Sequence, residues 1–329
     1  MYPLIRPRRL RASESVRKLV RETIVTPDDF LVPLFVTEGK GVKKEIPSMP
    51  NYFNLSLDML EKEVKELWKM GLCSVLLFAK VEDHLKDNKG TEALNPDGLM
   101  QRAIKTVKNA CPQMLVMTDV AMDPFSSYGH DGIVAEGQIL NDESAEVLAE
   151  MSVSHAKAGA DFVAPSDMMD GRILTIREAL EDEGFTNTGI MAYSAKYASA
   201  FYGPFRDALD SAPADIANVP KDKKTYQMDY ANRYEAIKET QMDIDEGADI
   251  AMVKPGLCYL DIVREIRNEV DVPVAVYQVS GEYAMVKAAA EKGWLDHDAV
   301  MLEQLTAIKR AGANIIASYF AKDFIRTLG

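Results

Sequence analysis

What the 329-residue chain lacks narrows its function before any motif is read. It has no run near the roughly 18 continuous apolar residues of a spanning helix, and no apolar segment behind Met1 of the kind that opens a secretory signal. A cytoplasmic protein with no membrane partner is expected. Cysteine is scarce: Cys73, Cys111 and Cys258 are far apart, odd in number and form no CxxC pair, so no disulfide framework is expected and a reducing compartment suits them. An excess of positive charge is missing too. With 38 Lys and Arg against 51 Asp and Glu, the formal charge is −13, which disfavours binding to nucleic acid or an anionic membrane through displaced counterions. The single basic cluster, Arg6-Pro7-Arg8-Arg9-Leu10-Arg11, is too short and isolated for a nucleic-acid arm and better suits a contact between subunits. No GxGxxG follows the first apolar run, so a dinucleotide-binding sheet has no signature here.

What is present is a repeated unit. Hydrophobic residues make up 47% of the chain and charged residues 27%, a globular composition with material for a large core. Four times a glycine is followed at once by a β-rich run: Gly71 to Phe78, Gly159 to Ala164, Gly247 to Met252 and Gly312 to Ala317. Charge-rich amphipathic stretches such as Asp142 to Lys157 and Tyr234 to Glu246 come before such runs, and the glycine suits a left-handed residue just past a helix end. The runs are apolar without alternation, as parallel strands covered on both faces are. Adding Phe30 to Val36, Met114 to Asp119, Gly189 to Lys196 and Val272 to Tyr277 brings the count to eight. Eight strands separated by helices predict an α/β fold of the (β/α)8 TIM-barrel type over residues 29–329. Residues 1–28 form an extended N-terminal arm outside the barrel core. The intervals Pro124 to Leu140 and Phe201 to Asp229 are long for barrel loops and are expected to bind ligand or form an active-site lid, the second over about 201–229.

Active sites of such barrels lie at the C-terminal ends of the strands. The polar residues that close the runs are Asp119, Ser166, Lys196, Lys254, Ser280 and Tyr319. Each has a plain alternative: Asp119 and Ser166 as helix caps, Ser280 in a turn before Gly281, Tyr319 as a core aromatic, and each lysine as a strand-end residue reaching solvent. Six from six strands, two of them lysines, are harder to attribute to capping. Desolvation or a neighbouring ammonium strips the proton from a lysine and frees its lone pair to attack a carbonyl. Two such lysines suit the joining of two carbonyl compounds, each held as an imine. A one-lysine class I aldolase on the same fold is the alternative, with a catalytically idle barrel behind it.

The segments Arg6 to Arg11, Ala164 to Arg172, Tyr193 to Asp207, Met252-Val253-Lys254-Pro255-Gly256 and Tyr277-Gln278-Val279-Ser280-Gly281-Glu282 resemble the porphobilinogen synthase (5-aminolevulinate dehydratase) family over nearly the whole chain. The resemblance implies a hydro-lyase of tetrapyrrole biosynthesis (haem, chlorophyll, cobalamin). It would condense two 5-aminolevulinate molecules to porphobilinogen with loss of two waters. Lys254 would carry the substrate that becomes the propionate side, its carboxylate held by Ser280 and Tyr319. Lys196 would carry the second substrate, its carboxylate meeting Arg206, Lys223 and Gln227 from the lid. Asp119 and Ser166 would lie near the second amino group, and Tyr202 and Phe205 would wall the pocket. The family often has arginine where this chain has Lys223, and lysine loses the bidentate fork. Lys224 beside it is an alternative contact.

Zinc-dependent members of that family carry three cysteines where this chain has Ala121, Asp123 and Asp131, so no zinc thiolate site is expected here. Asp123 and Asp131 suit a hard cation, or water and a lysine, at the catalytic centre. His130 is read as solvated or hydrogen-bonded rather than as a zinc ligand. The resemblance further implies an allosteric Mg2+ between subunits at Glu239, no organic cofactor, and a homo-oligomer, commonly an octamer with the arm wrapping a neighbouring barrel.

Overall fold

The computed structural model describes residues 3–328, so Met1 and Tyr2 of the expected arm, and Gly329, lie outside the described residues. All four glycine stops adopt the left-handed backbone expected of them, with φ of 81° at Gly71, 107° at Gly159, 108° at Gly247 and 129° at Gly312. Each lets a helix end and the chain turn back into a strand within two or three residues.

The strands in chain order are β1 (Phe30–Thr37), β2 (Lys43–Ile46), β3 (Met49–Leu55), β4 (Ser74–Lys80), β5 (Leu115–Val120), β6 (Ile133–Ala135), β7 (Gln138–Leu140), β8 (Phe162–Pro165), β9 (Gly189–Lys196), β10 (Ile250–Lys254), β11 (Val274–Gln278) and β12 (Ile315–Ser318). The eight runs expected from the sequence are β1, β4, β5, β8, β9, β10, β11 and β12. They pair in parallel in that order, and β12 returns to β1 through Phe30↔Ile316 and Leu31↔Ala317, closing the barrel. Burial along β10 and β11 is unbroken, because one face packs on the barrel interior and the other on helices.

The helices are α1 (Glu14–Leu19), α2 (Leu57–Lys69), α3 (Leu99–Ala110), α4 (Asn141–Ala158), α5 (Arg172–Asp182), α6 (Gly203–Leu209), α7 (Tyr234–Asp245), α8 (Leu260–Glu269), α9 (Ser280–Glu291), α10 (His297–Ala311) and α11 (Ala321–Arg326). Two small hairpins were not apparent in the sequence. β2 and β3 pair antiparallel beside the end of β1, and β6 and β7 occupy part of the interval Pro124 to Leu140.

Among the described residues of the arm, only Val25, next to the barrel, packs against the core. The arm's 3₁₀ turn Pro7–Arg11 and α1 contain no buried residue, and Leu4, Ile5, Leu10, Leu19 and Ile24 stay exposed. The lid interval opens with α6 and then runs irregularly. It is tied back to the end of β9, where the Met228 N–H donates to the Lys196 carbonyl at 3.1 Å and the Ala198 N–H to the Met228 carbonyl at 2.8 Å. The segment thus begins and ends beside the strand that carries Lys196.

Candidate active site

Lys196 and Lys254 are the last residues of β9 and β10 and face each other as register partners. β9 carries one extra residue between the pairings Ala192↔Ala251 and Ala195↔Val253. That bulge shifts the alternation, so Tyr193 and Lys196, an odd number apart, share the barrel interior. Around the Lys254 Nζ the ring centroids of Tyr277, Phe205, Tyr193 and Tyr202 stand at 4.6, 4.8, 5.1 and 5.2 Å. Tyr193 also lies 5.9 Å from the Lys196 Nζ. Burial first, and then the Lys196 ammonium, push Lys254 down to about 7, against the pull of Asp119, Asp123 and Asp131. Such an amine is half free at neutral pH, and the faces of four rings replace water around it. The Lys196 Nζ donates to the Ser166 carbonyl, which holds it at the end of β8.

Three buried carboxylates line the same end. Asp119, next to last in β5, is pushed up to about 7, by burial and then by Asp123, with the two lysines opposing. Asp123 and Asp131 share one cation: the Lys223 Nζ lies 3.0 Å from a carboxylate oxygen of each. Burial works to raise Asp131, but Lys223 and Lys196 outweigh it and hold Asp131 down at about 2; Asp123 is raised, by burial first. Lys223 therefore reaches in from the 201–229 segment and ties it to the floor of the barrel end. Lys224 does not replace it, since its side chain is 71% exposed beside Asp222.

His130 is hydrogen-bonded rather than solvated. Fully buried, it has Nδ1 2.9 Å from the Tyr226 hydroxyl and Nε2 2.7 Å from the Pro220 carbonyl, so it fastens the 201–229 segment at a second point. Burial lowers its pKa, which keeps the ring neutral.

Several buried polar atoms in this region have no protein partner: Asp119 Oδ1, Tyr193 Oη, Gln227 Oε1 and Ser280 Oγ. Native interiors rarely leave such atoms unpaired, and a cluster of them around two lysines marks where a polar ligand belongs. Ser280 opens α9 instead of forming a turn, so its hydroxyl sits at the positive end of that helix. The Tyr319 hydroxyl is 2.8 Å from that of Tyr277. The guanidinium of Arg206, half-buried on α6, makes no hydrogen bond or ion pair among the described residues. Tyr202 donates to the Tyr197 carbonyl at 2.8 Å and, with Phe205, forms one wall of the Lys254 pocket.

The residues expected at the site from the sequence fall at the same barrel end, and the structure adds others. Tyr193 and Tyr277 were hidden because their direction depends on the bulge and on strand register. Arg172 on α5 is buried, donates to Asp243 Oδ1 at 2.9 Å and to the Tyr193 carbonyl at 3.3 Å, and lies 3.6 Å from Asp167. It props the segment that carries Ser166. Its place in the quoted stretch Ala164 to Arg172 was the only available signal.

Glu239 stands apart on α7, half-buried, in a cavity of about 270 Å3 that also includes Asn141, Asp170, Gln227 and Glu235. Burial first, and then Asp243, raise its pKa. No group of three or more His, Cys, Asp or Glu side chains is arranged to hold a metal among the described residues. Lys224 lines the same cavity, so a cation there would meet a few separate carboxylates beside an ammonium and could be held only with most of its water in place.

A model of the family described as delta-aminolevulinic acid dehydratase matches residues 4–327. The chain is 51% identical over 323 residues to the delta-aminolevulinic acid dehydratase of Bacillus subtilis (strain 168), covering 98% of each chain. It is 51% identical over 332 residues to that of Synechococcus elongatus, covering all of both. The solved structure of delta-aminolevulinic acid dehydratase from Toxoplasma gondii, in complex with its product porphobilinogen, superposes with a TM-score of 0.96 at 50% identity. That match covers 99% of this chain and 92% of the other.

Proposed function

The chain belongs to the delta-aminolevulinic acid dehydratase family and is a lyase that condenses two 5-aminolevulinate molecules to porphobilinogen, and we propose that it does so through imines on both Lys254 and Lys196. The observation that carries the proposal is the pairing of the two amines at the ends of adjacent strands, one of them held near 7 inside an aromatic wall. A lone imine, as in a class I aldolase, would leave the second buried lysine without a task.

In this reading the neutral Lys254 amine attacks the ketone of the first substrate and the oxygen leaves as water. Lys196 does the same for the second. Loss of a proton next to one imine carbon turns it into an enamine, whose carbon bonds to the other substrate. Ring closure by a substrate amine and release from the lysines return both Nζ groups. Two waters leave overall, one for each ketone oxygen. Asp119, titrating near 7 with a free Oδ1, suits the proton transfers, and Ser166 keeps Lys196 aimed. Ser280 and Tyr319 are read as the grip on the first carboxylate. Arg206 and Gln227 are read as the grip on the second, with Lys223 joining them when substrate displaces it from Asp123 and Asp131. Holding both ketones in place turns a bimolecular reaction into a positioned one, and the closed lid keeps water from the imines.

Glu239 is read as the protein ligand of a hydrated Mg2+ that would supply activation away from the reacting atoms. The exposed apolar residues of the arm support a homo-oligomer, read as an octamer in which the arm covers a neighbouring barrel. No helix among the described residues is long and apolar enough to cross a membrane, and the reading places the enzyme in the cytoplasm.

The test is borohydride reduction in the presence of 5-aminolevulinate, followed by peptide mass mapping, with porphobilinogen measured on the same sample. Adducts on both lysines with product formed are expected. Lys254→Ala and Lys196→Ala should each lower turnover at least about 10³-fold, as loss of a covalent nucleophile does. An adduct on one lysine only, with product still formed, would refute the two-imine route.

A further inference from the structure

Glu282 is fully buried, yet it makes no ion pair among the described residues. Its carboxylate is held by backbone N–H groups alone, and these come from two different loops. The Gly256 N–H donates at 3.3 Å and the Leu257 N–H lies beside the other oxygen, both from the loop that leaves Lys254. The Val279 N–H donates at 2.6 Å, from the turn that leads into Ser280. The last bond resembles half of a capping box, with Glu282 at the third position of α9; Val279 has no side-chain acceptor to complete the other half. A plain helix cap would need only that one bond.

We propose that Glu282 is a positioning residue for the first substrate: it ties the loop behind Lys254 to the helix start that carries Ser280, and so sets the spacing between the imine nitrogen and the carboxylate grip. This rests on the two-imine reading given above.

The surroundings leave little slack for any other fastening. A Cβ on Gly256 would lie 3.3 Å from the Tyr277 carbonyl and 3.2 Å from Val276, so the Lys254 loop is pressed against the end of β11. A Cβ on Gly281 would come within 2.5 Å of the Phe201 carbonyl, which brings the first residue of the lid onto the same helix start. Three segments that carry site residues therefore converge on residues 281 and 282. The titratable groups around the carboxylate are Tyr202, Cys258 and Tyr259, and burial raises the pKa of each. Burial likewise pushes Glu282 up to about 7, with only the three backbone bonds opposing. No cation shares the load, so replacing the carboxylate changes the geometry of the two loops directly.

The experiment isolates each lysine and reads imine formation with 4-oxopentanoate, which carries the ketone and carboxylate of the substrate but no amine. Borohydride trapping at Lys254 is titrated in Lys196→Ala protein with and without Glu282→Gln, and trapping at Lys196 in Lys254→Ala protein with and without the same change. The amide keeps one acceptor and places an NH2 against the remaining N–H donors. Hydrogen bonds to a charged group are worth roughly ten- to a hundredfold in binding, so the half-saturating concentration at Lys254 should rise at least about tenfold. Lys196 is tied to Ser166 and shares no hydrogen bond with Glu282, so its half-saturating concentration should move less than about twofold, as for sites without common partners. Equal shifts at both lysines, or no shift at Lys254, would overturn the proposal and leave Glu282 a structural cap. Should Glu282→Gln not fold, Glu282→Asp keeps the charge but is too short to span both loops, and is read in the same way. Absence of any Lys254 adduct in the protein with native Glu282 would overturn the imine reading, and this proposal with it. A Lys254 adduct without the selective shift would overturn this proposal alone.

Discussion

Tyr193 and Lys196 lie three residues apart on one strand yet both face the barrel interior, because β9 carries an extra residue between its pairings with β10. The bulge puts an aromatic ring within 5.1 Å of the Lys254 Nζ and 5.9 Å of the Lys196 Nζ. It leaves the Tyr193 hydroxyl buried with no partner.

A buried hydroxyl without a partner costs the folded state about 1 kcal/mol or more. Tyr193→Phe is therefore expected to raise or preserve the thermal midpoint. Because the ring lies within 6 Å of both amines and its hydroxyl is free to meet a bound substrate, turnover should fall roughly tenfold, the worth of one lost hydrogen bond in the transition state. Calorimetry and steady-state assays on one preparation check both. A stable variant with full turnover would show the hydroxyl to be idle.

The pH profile follows from Lys254 and Asp119. Both titrate near 7, the lysine lowered and the carboxyl raised. Imine formation needs the neutral amine, and proton uptake by Asp119 needs its carboxylate, so both working forms are lost as pH falls through about 7. The expected kcat/KM rises with pH and levels off above that value. Trapping at Lys254 should follow the same curve, and a trapping yield flat from pH 5 to 8 would contradict the depressed lysine.

The lid lock is a matter of stability. Lys223→Ala leaves Asp123 and Asp131 buried beside each other without their cation, a change of the kind that costs about 3–5 kcal/mol. Cleavage by a protease within residues 210–222 should become faster than cleavage elsewhere. The two aspartates differ in sign. Asp131 is held below its unfolded value, so its contribution is present above about pH 4 and is lost as pH falls through about 2. Asp123 is raised and opposes folding once ionised. Asp131→Asn should thus lower the unfolding free energy measured by urea titration at pH 7 by an amount on the order of 2 kcal/mol, and Asp123→Asn by less. Equal losses would mean that the pair is balanced differently around Lys223.

Exhaustive chelation should lower activity, and added Mg2+ should restore it. Glu239→Ala should remove that response while leaving both lysines trappable. Full activity after chelation would count against an activating ion at Glu239.

The barrel was legible in the sequence because its signals are local. A glycine that must go left-handed after a helix, and an apolar run without alternation, report on backbone sterics and two-sided burial, and both are written residue by residue. The strand-end lysines were legible for the same reason: an amine that closes an apolar strand is conspicuous wherever the strand pairs. The family resemblance then supplied roles for Arg206, Gln227, Ser280 and Tyr319.

The tertiary structure decided what depends on register and on contacts between distant segments. Alternation in a strand does not foretell a bulge, so nothing in Tyr193-Ser194-Ala195-Lys196 says that the tyrosine joins the lysine. Lys223 and Asp123 are a hundred positions apart, and only the folded lid makes one ammonium serve two carboxylates. Glu282 reads in sequence as an ordinary early-helix acid. Its carboxylate acts on Gly256, Leu257 and Val279 because the loops after β10 and β11 start side by side, and only the parallel pairing of those two strands brings them there.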